Sequence, residues 1–202
     1  MTLALYDLPT SPNARKVRLL AAELGIHYRR VELKMGDLQS REYLRLNPNG
    51  MVPTINDDGF VLWESAAILK YLAAKHPERG MLPSGQKELA KVDQWLFWFS
   101  GHVEPALDQL AWERRIKPYL GQPGHDPTLI AAAEAALNRF LQVLEKQLMA
   151  KDYILDKLTI VDFATAPRLE HAPTFLEFDL FHYPNIIAWI ERLQKKPYWK
   201  DA

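Results

Sequence analysis

The spacing of apolar and polar residues changes character about 80 residues into the chain. Before that point the period switches repeatedly. Leu3-Ala4-Leu5-Tyr6 predicts a short buried strand. Ser11 then predicts a helix cap with Pro12 at the first helical position, and Val17, Leu20, Ala21 and Leu24 recur at helical spacing until Gly25. His27 to Leu33 predicts a second strand, and Arg41 to Leu46 a brief helix stopped at Asn47-Pro48. The runs from Val52 and from Phe60 flank Asp57-Asp58-Gly59 as a hairpin, and Ser65 to Ala74 closes with a helix. The order β-α-β-α-β-β-α predicts a small α/β sandwich that opens on a βαβ unit.

His76-Pro77-Glu78-Arg79-Gly80, continuing through Pro83-Ser84-Gly85, has the composition of a linker. Beyond it no segment has strand character. Lys87 to about Ile116, Pro127 to Met149, Thr159 to Glu170 and Pro184 to Lys195 all carry helical periodicity, with Gly121, Pro123 and Gly124 breaking the first two. The expected division is therefore an α/β domain over residues 1–76, a linker over 77–86, and an all-helical bundle over 87–202.

Composition narrows the chemistry. The chain has 202 residues, 48% of them apolar, which is enough for a substantial core. Lys plus Arg and Asp plus Glu number 25 each, so the net charge is zero and nucleic acid is not an expected partner. A charged-then-apolar leader and an apolar run of membrane-spanning length are both lacking, so the expected setting is soluble and cytoplasmic, with no membrane partner. There is no cysteine, which removes disulfides, protein thiolate nucleophiles and cysteine-based zinc sites. The six histidines show no HxxxH or HExxH spacing, and no metal is expected.

Two local patterns carry candidate chemistry. Pro53 heads a strand-like run although it has no N–H to give a ladder, and Glu64-Ser65 ends the next run where a helix begins. An exposed strand end beside a helix N-terminus, with a carboxylate and a hydroxyl, suits a small ligand bearing both charges. In the helical half, Thr159-Ile160-Val161-Asp162 has the form of a capping box, a structural feature.

Taken together, Asn47-Pro48-x-Gly50-x-Val52-Pro53, Trp63-Glu64-Ser65-x-Ala67-Ile68 and an all-helical second half with Thr159-x-x-Asp162 resemble the cytosolic glutathione transferases. The likeness spans essentially the whole chain. His102-Val103-Glu104-Pro105-Ala106-Leu107, running on to Trp112-Glu113 and Lys117-Pro118-Tyr119-Leu120-Gly121, is similar to the phi class and its bacterial relatives.

That resemblance implies a thioredoxin-like first domain, a cis bond between Val52 and Pro53, and main-chain pairing of Val52 with the cysteinyl part of glutathione. Glu64 would take the γ-glutamyl ammonium, while Ser65 and the following helix N–H groups take its carboxylate. Ser11 would be the catalytic residue, its hydroxyl stabilising the glutathione thiolate; read from the residues alone, Ser11 is a helix cap for Asn13 or Ala14. Asn13 offers a second donor, and Tyr6 stands where some other classes place a catalytic tyrosine. Phi-class proteins carry basic residues for the glycine carboxylate where this chain has Leu38 and Gln39, and Met51 stands where glutamine or lysine is common. Gln39 can still donate a hydrogen bond there, and Arg15 or Lys16 could supply charge. A small hydrophobic electrophile is expected in a cleft between the halves, near Trp95, Phe97, Trp98, Phe99, His102 and Trp112.

The expected activity is conjugation of glutathione to that electrophile, by a homodimer that needs no metal. The alternatives are glutathione-dependent reduction of peroxides or disulfides, and a transferase-like module that binds without catalysis.

Overall fold

The computed structural model describes residues 3–122 and 124–201, and Pro123 lies outside them. Two compact units result. The first runs to Ser84 and takes back the chain from Pro197 onward; the second is Gly85–Lys196.

In the first unit, β1 (Leu3–Asp7) leads into α1 (Pro12–Leu24), followed by β2 (Arg29–Glu32), a 3-10 turn (Met35–Gln39) and α2 (Arg41–Leu46). Then come β3 (Thr54–Asp57), β4 (Phe60–Trp63) and α3 (Ser65–Lys75). The sheet order is β2-β1-β3-β4, with β1 parallel to β2 and antiparallel to β3, and β3 antiparallel to β4. This is the thioredoxin-like arrangement. Helices α1 and α3 pack together, and Leu5, Leu19, Leu20, Ile55, Ile68 and Leu69 form the centre of the core.

Local chemistry accounts for the boundaries. Ser11 caps α1, its Oγ accepting the Ala14 N–H at 3.2 Å, and Pro12 sits where a missing N–H costs nothing. Asp58 and Gly59 both have positive φ, making the two-residue hairpin turn that matches strand twist. The strand expected from Val52 instead begins at Thr54, which pairs with Tyr6 and Trp63. Val52 and Pro53 stand ahead of the ladder, because Pro53 has no N–H to extend it. The second strand is likewise shorter than expected, four residues from Arg29.

The second unit is helical among its described residues. The stretch 86–119 runs as α4 (Gln86–Trp98), a π-helical turn (Phe99–Val103), α5 (Glu104–Ala111), a second π-helical turn (Trp112–Ile116) and α6 (Lys117–Tyr119). Pro105 withholds an N–H from the turn before it, a physical reason for the first widening. Further on are α7 (Pro127–Gln147), α8 (Ile160–Leu169), α9 (Ala172–Phe175) and α10 (Pro184–Gln194). Trp95 and Phe99 are buried, His102 stacks on Phe140 at 4.8 Å, and Phe97 and Trp112 face solvent.

Thr159 and Asp162 form the expected capping box at α8, and the carboxylate reaches further. Asp162 is fully buried. Its Oδ2 accepts the Thr159 N–H at 2.9 Å, while its Oδ1 accepts the Ile154 N–H at 3.1 Å and the Trp189 Nε1–H at 2.9 Å. Burial pushes its pKa up to about 6 against the opposing pull of those donors. Glu113 is a second buried carboxylate. The Asp126 N–H and the Lys117 ammonium hold its pKa below the ordinary value.

Candidate functional site

The site lies in the first unit, where the loop from α2 to β3 meets the N-terminus of α3. Asn47 ends α2 with its side chain buried. Its amide nitrogen donates to the Met51 carbonyl at 2.8 Å and to Thr54 Oγ1 at 3.1 Å, and its Oδ1 accepts the Asn49 N–H at 3.0 Å. The Tyr43 hydroxyl donates to the same Met51 carbonyl and pairs with Thr54 Oγ1 at 2.9 Å. Gly50 makes the turn at φ +61°, and a Cβ there would stand 2.7 Å from Gln39 Nε2 and 3.0 Å from the Leu38 carbonyl. The loop is thus clamped from both sides, with Gln39 lying against it and Leu38 turned into the core. The Val52–Pro53 bond is cis.

Asn47→Ala is expected to lower the unfolding free energy by about 2 kcal/mol, since it strips a buried donor pair from Met51 and Thr54. Urea denaturation measures this, and an unchanged midpoint would remove Asn47 from the bracing role.

Glu64 joins β4 to α3 with φ 73° and ψ 113°, a conformation a non-glycine residue rarely holds. It occupies the cap position of α3, yet its side chain makes no capping hydrogen bond, so the exposed carboxylate is not spent on the helix. The first N–H groups of α3 follow it directly in the chain.

Asn13, Asn47, Asn49, Met51, Val52, Pro53, Glu64 and Ser65 line one small cavity of about 60 Å³. Six of the residues singled out in the sequence therefore meet here: Asn13, Met51, Val52, Pro53, Glu64 and Ser65. Ser11 and Gln39 are outside the lining, one at the start of α1 and the other behind Gly50. Asn47 and Asn49 belong to the motif, but the sequence assigns them no role; an asparagine at a helix end before proline is the available signal. Asn13 Oδ1 is buried and has no hydrogen-bond partner among the described residues. Glu64 is the only charged residue among those lining the cavity.

The turn that carries Ser11 is tied down from beneath. Ser11 N–H donates to the Leu8 carbonyl at 2.9 Å. Arg18 donates to the Pro9 carbonyl at 3.2 Å and to both oxygens of buried Asp7 at 2.7 and 2.8 Å, and Arg30 adds a bond to Asp7 at 2.6 Å. Tyr6 is outside the lining, with its ring 5.9 Å from that of Tyr43. Among the described residues, no group of three or more histidine, aspartate or glutamate side chains is placed to hold a metal ion, and no helix is long and apolar enough to cross a membrane.

A thioredoxin-like sheet that presents an unladdered strand end beside a helix N-terminus, followed by a unit that is helical among its described residues, defines the class: a two-unit protein of thioredoxin-like and helical parts. Residues 5–80 match the glutathione S-transferase N-terminal domain and residues 109–197 the C-terminal domain. Glutathione S-transferase hmp2 of Hypomyces subiculosus is 32% identical over 100% of this chain and 98% of its own. Glutathione S-transferase F7 of Arabidopsis thaliana is 30% identical over 96% of each. A glutathione transferase family member from Pseudomonas fluorescens, solved with two glutathione bound, superposes with TM-score 0.90 at 26% identity, covering 99% of this chain and 91% of that one. The chain belongs to the glutathione S-transferase family.

Proposed function

We propose that this protein conjugates the thiolate of glutathione to a small hydrophobic electrophile, with Ser11 assisting ionisation of the thiol. The observation that carries the proposal is Glu64: a carboxylate held out on a strained backbone, unused by the helix it precedes, beside the free main chain of Val52. Glutathione has a matching layout. Its γ-glutamyl ammonium meets Glu64, the adjoining carboxylate meets the Ser65 hydroxyl and the N–H groups of α3, and its cysteinyl amide pairs with Val52 as an added strand would. Asn13 brings an amide to the same cavity.

In this reading the thiol lies toward the N-terminus of α1, from which Asn13 enters the cavity lining. The Ser11 Oγ accepts the Ala14 N–H, but accepting leaves the hydroxyl proton to donate. Cap and thiolate donor are therefore compatible roles. An unassisted thiol has a pKa near 8.5, so only a few per cent is thiolate at neutral pH, and a donor to the charged sulfur raises that share. The chain has no cysteine, so the sulfur must come with the co-substrate. A cytoplasmic homodimer belongs to the same proposal, on the family's habit alone.

Calorimetric titration with glutathione, then conjugation kinetics with a generic aromatic electrophile, tests the assignment. Glu64→Gln is expected to raise the KM for glutathione by about 10-fold or more, since a hydrogen bond to a charged group contributes about 1.5–3 kcal/mol. No heat of binding at millimolar glutathione would refute the proposed function.

A further inference from the structure

We infer that the glycyl carboxylate of glutathione contributes little to binding here, so that the site accepts γ-glutamyl-cysteinyl thiols with a neutral, amidated or extended C-terminal end about as well as glutathione itself. This rests on the ligand placement proposed above. At neutral pH glutathione carries one ammonium and two carboxylates. The cavity meets the ammonium with Glu64 and one carboxylate with Ser65 and the start of α3, and no residue lining it carries a positive charge.

With the γ-glutamyl end at Glu64 and the cysteinyl part at Val52, the glycyl end runs past Met51 toward the 3-10 turn. The groups that line the cavity on that side are neutral. Met51 is 67% exposed, Asn49 lines the cavity beside it, and the Gln39 amide lies against Gly50. The Met51 carbonyl is already taken by Tyr43 and Asn47. The cations that α1 offers in sequence are engaged elsewhere. Arg15 donates to the Trp199 carbonyl at 2.8 Å and lies over that ring at 5.8 Å, and Lys16 is 2% exposed. An exposed thioether beside two amides is a poor partner for a carboxylate and a suitable one for an ester, an amide or an added residue.

The experiment compares kcat/KM for glutathione, its glycyl monoethyl ester, its glycinamide analogue and N-acetylglutathione, with one electrophile held at saturation. Glutathione, ester and amide are expected within about threefold of one another, while N-acetylation, which removes the ammonium facing Glu64, lowers kcat/KM at least 10-fold. Met51→Lys is expected to raise the ratio of kcat/KM for glutathione to that for the ester several-fold, creating the missing charge contact. Tight glutathione binding with a 10-fold or larger loss for both ester and amide overturns this inference alone. Failure of glutathione itself to bind overturns the functional proposal and this inference with it.

Discussion

Ser11→Ala is expected to slow conjugation at pH 7 by about 10- to 100-fold, because a donor to a charged group contributes about 1.5–3 kcal/mol, or one to two pKa units. The loss should shrink as pH rises. Without the hydroxyl the bound thiol returns toward its ordinary pKa, so near pH 9.5 it is mostly thiolate in either protein and the two rates converge. The substitution also removes the α1 cap, whose bond to the Ala14 N–H contributes about 1 kcal/mol of stability. Threonine separates the two effects, since it restores both the cap acceptor and the donor. A rate profile lowered equally at all pH values would assign Ser11 to the fold and leave the thiol to another group, with the amide N–H of Asn13, a cavity-lining residue, next in line.

Asp162→Ala is expected to have the largest effect on stability, about 3–5 kcal/mol, because it strands the Ile154, Thr159 and Trp189 N–H donors in the interior. The melting temperature should fall on the order of 10 °C for a chain of this size. The native carboxylate also leaves a signature in pH. Its folded pKa, about 6, lies above the ordinary value of 3.8, so between those limits the folded state keeps a proton that the unfolded state releases. This group's contribution to stability is therefore greatest below pH 4 and declines as pH rises to 6, by up to about 3 kcal/mol, then stays level. Asp162→Asn, which cannot ionise, should abolish that slope. Urea midpoints measured from pH 4 to 7 for both proteins check the sign. A native protein whose stability shows no difference in slope from the asparagine variant would contradict the burial of an ionising carboxylate.

Much of the candidate site was legible in the chain because the signals were local. Ser11 with Pro12, Asp58 with Gly59, and Thr159 with Asp162 satisfy backbone groups within four residues, so their chemistry can be read from neighbours. Val52-Pro53 and Glu64-Ser65 are 12 positions apart, and it was the motif's resemblance to a family that joined them. Their meeting in one cavity follows from the pairing of β3 with β4, where Thr54 faces Trp63. Asn47 escaped assignment because its partners, Met51 and Thr54, are polar groups met only when the loop folds back over α2.

By itself, the sequence determined the β-α-β-α-β-β-α order, the helical second half, the caps and the hairpin, and the lack of any thiol in the chain. These depend on period, turn chemistry and composition, each a property of nearby residues. Tertiary structure alone decided the positive φ of Glu64, the brace of Arg18 on the turn bearing Ser11, the turning of Arg15 toward Trp199, and the burial that raises Asp162. The partners in the last two cases are 184 and 27 residues away. Burial and charge pairing are set by what arrives from a distance, and local pattern carries no record of which residue that will be.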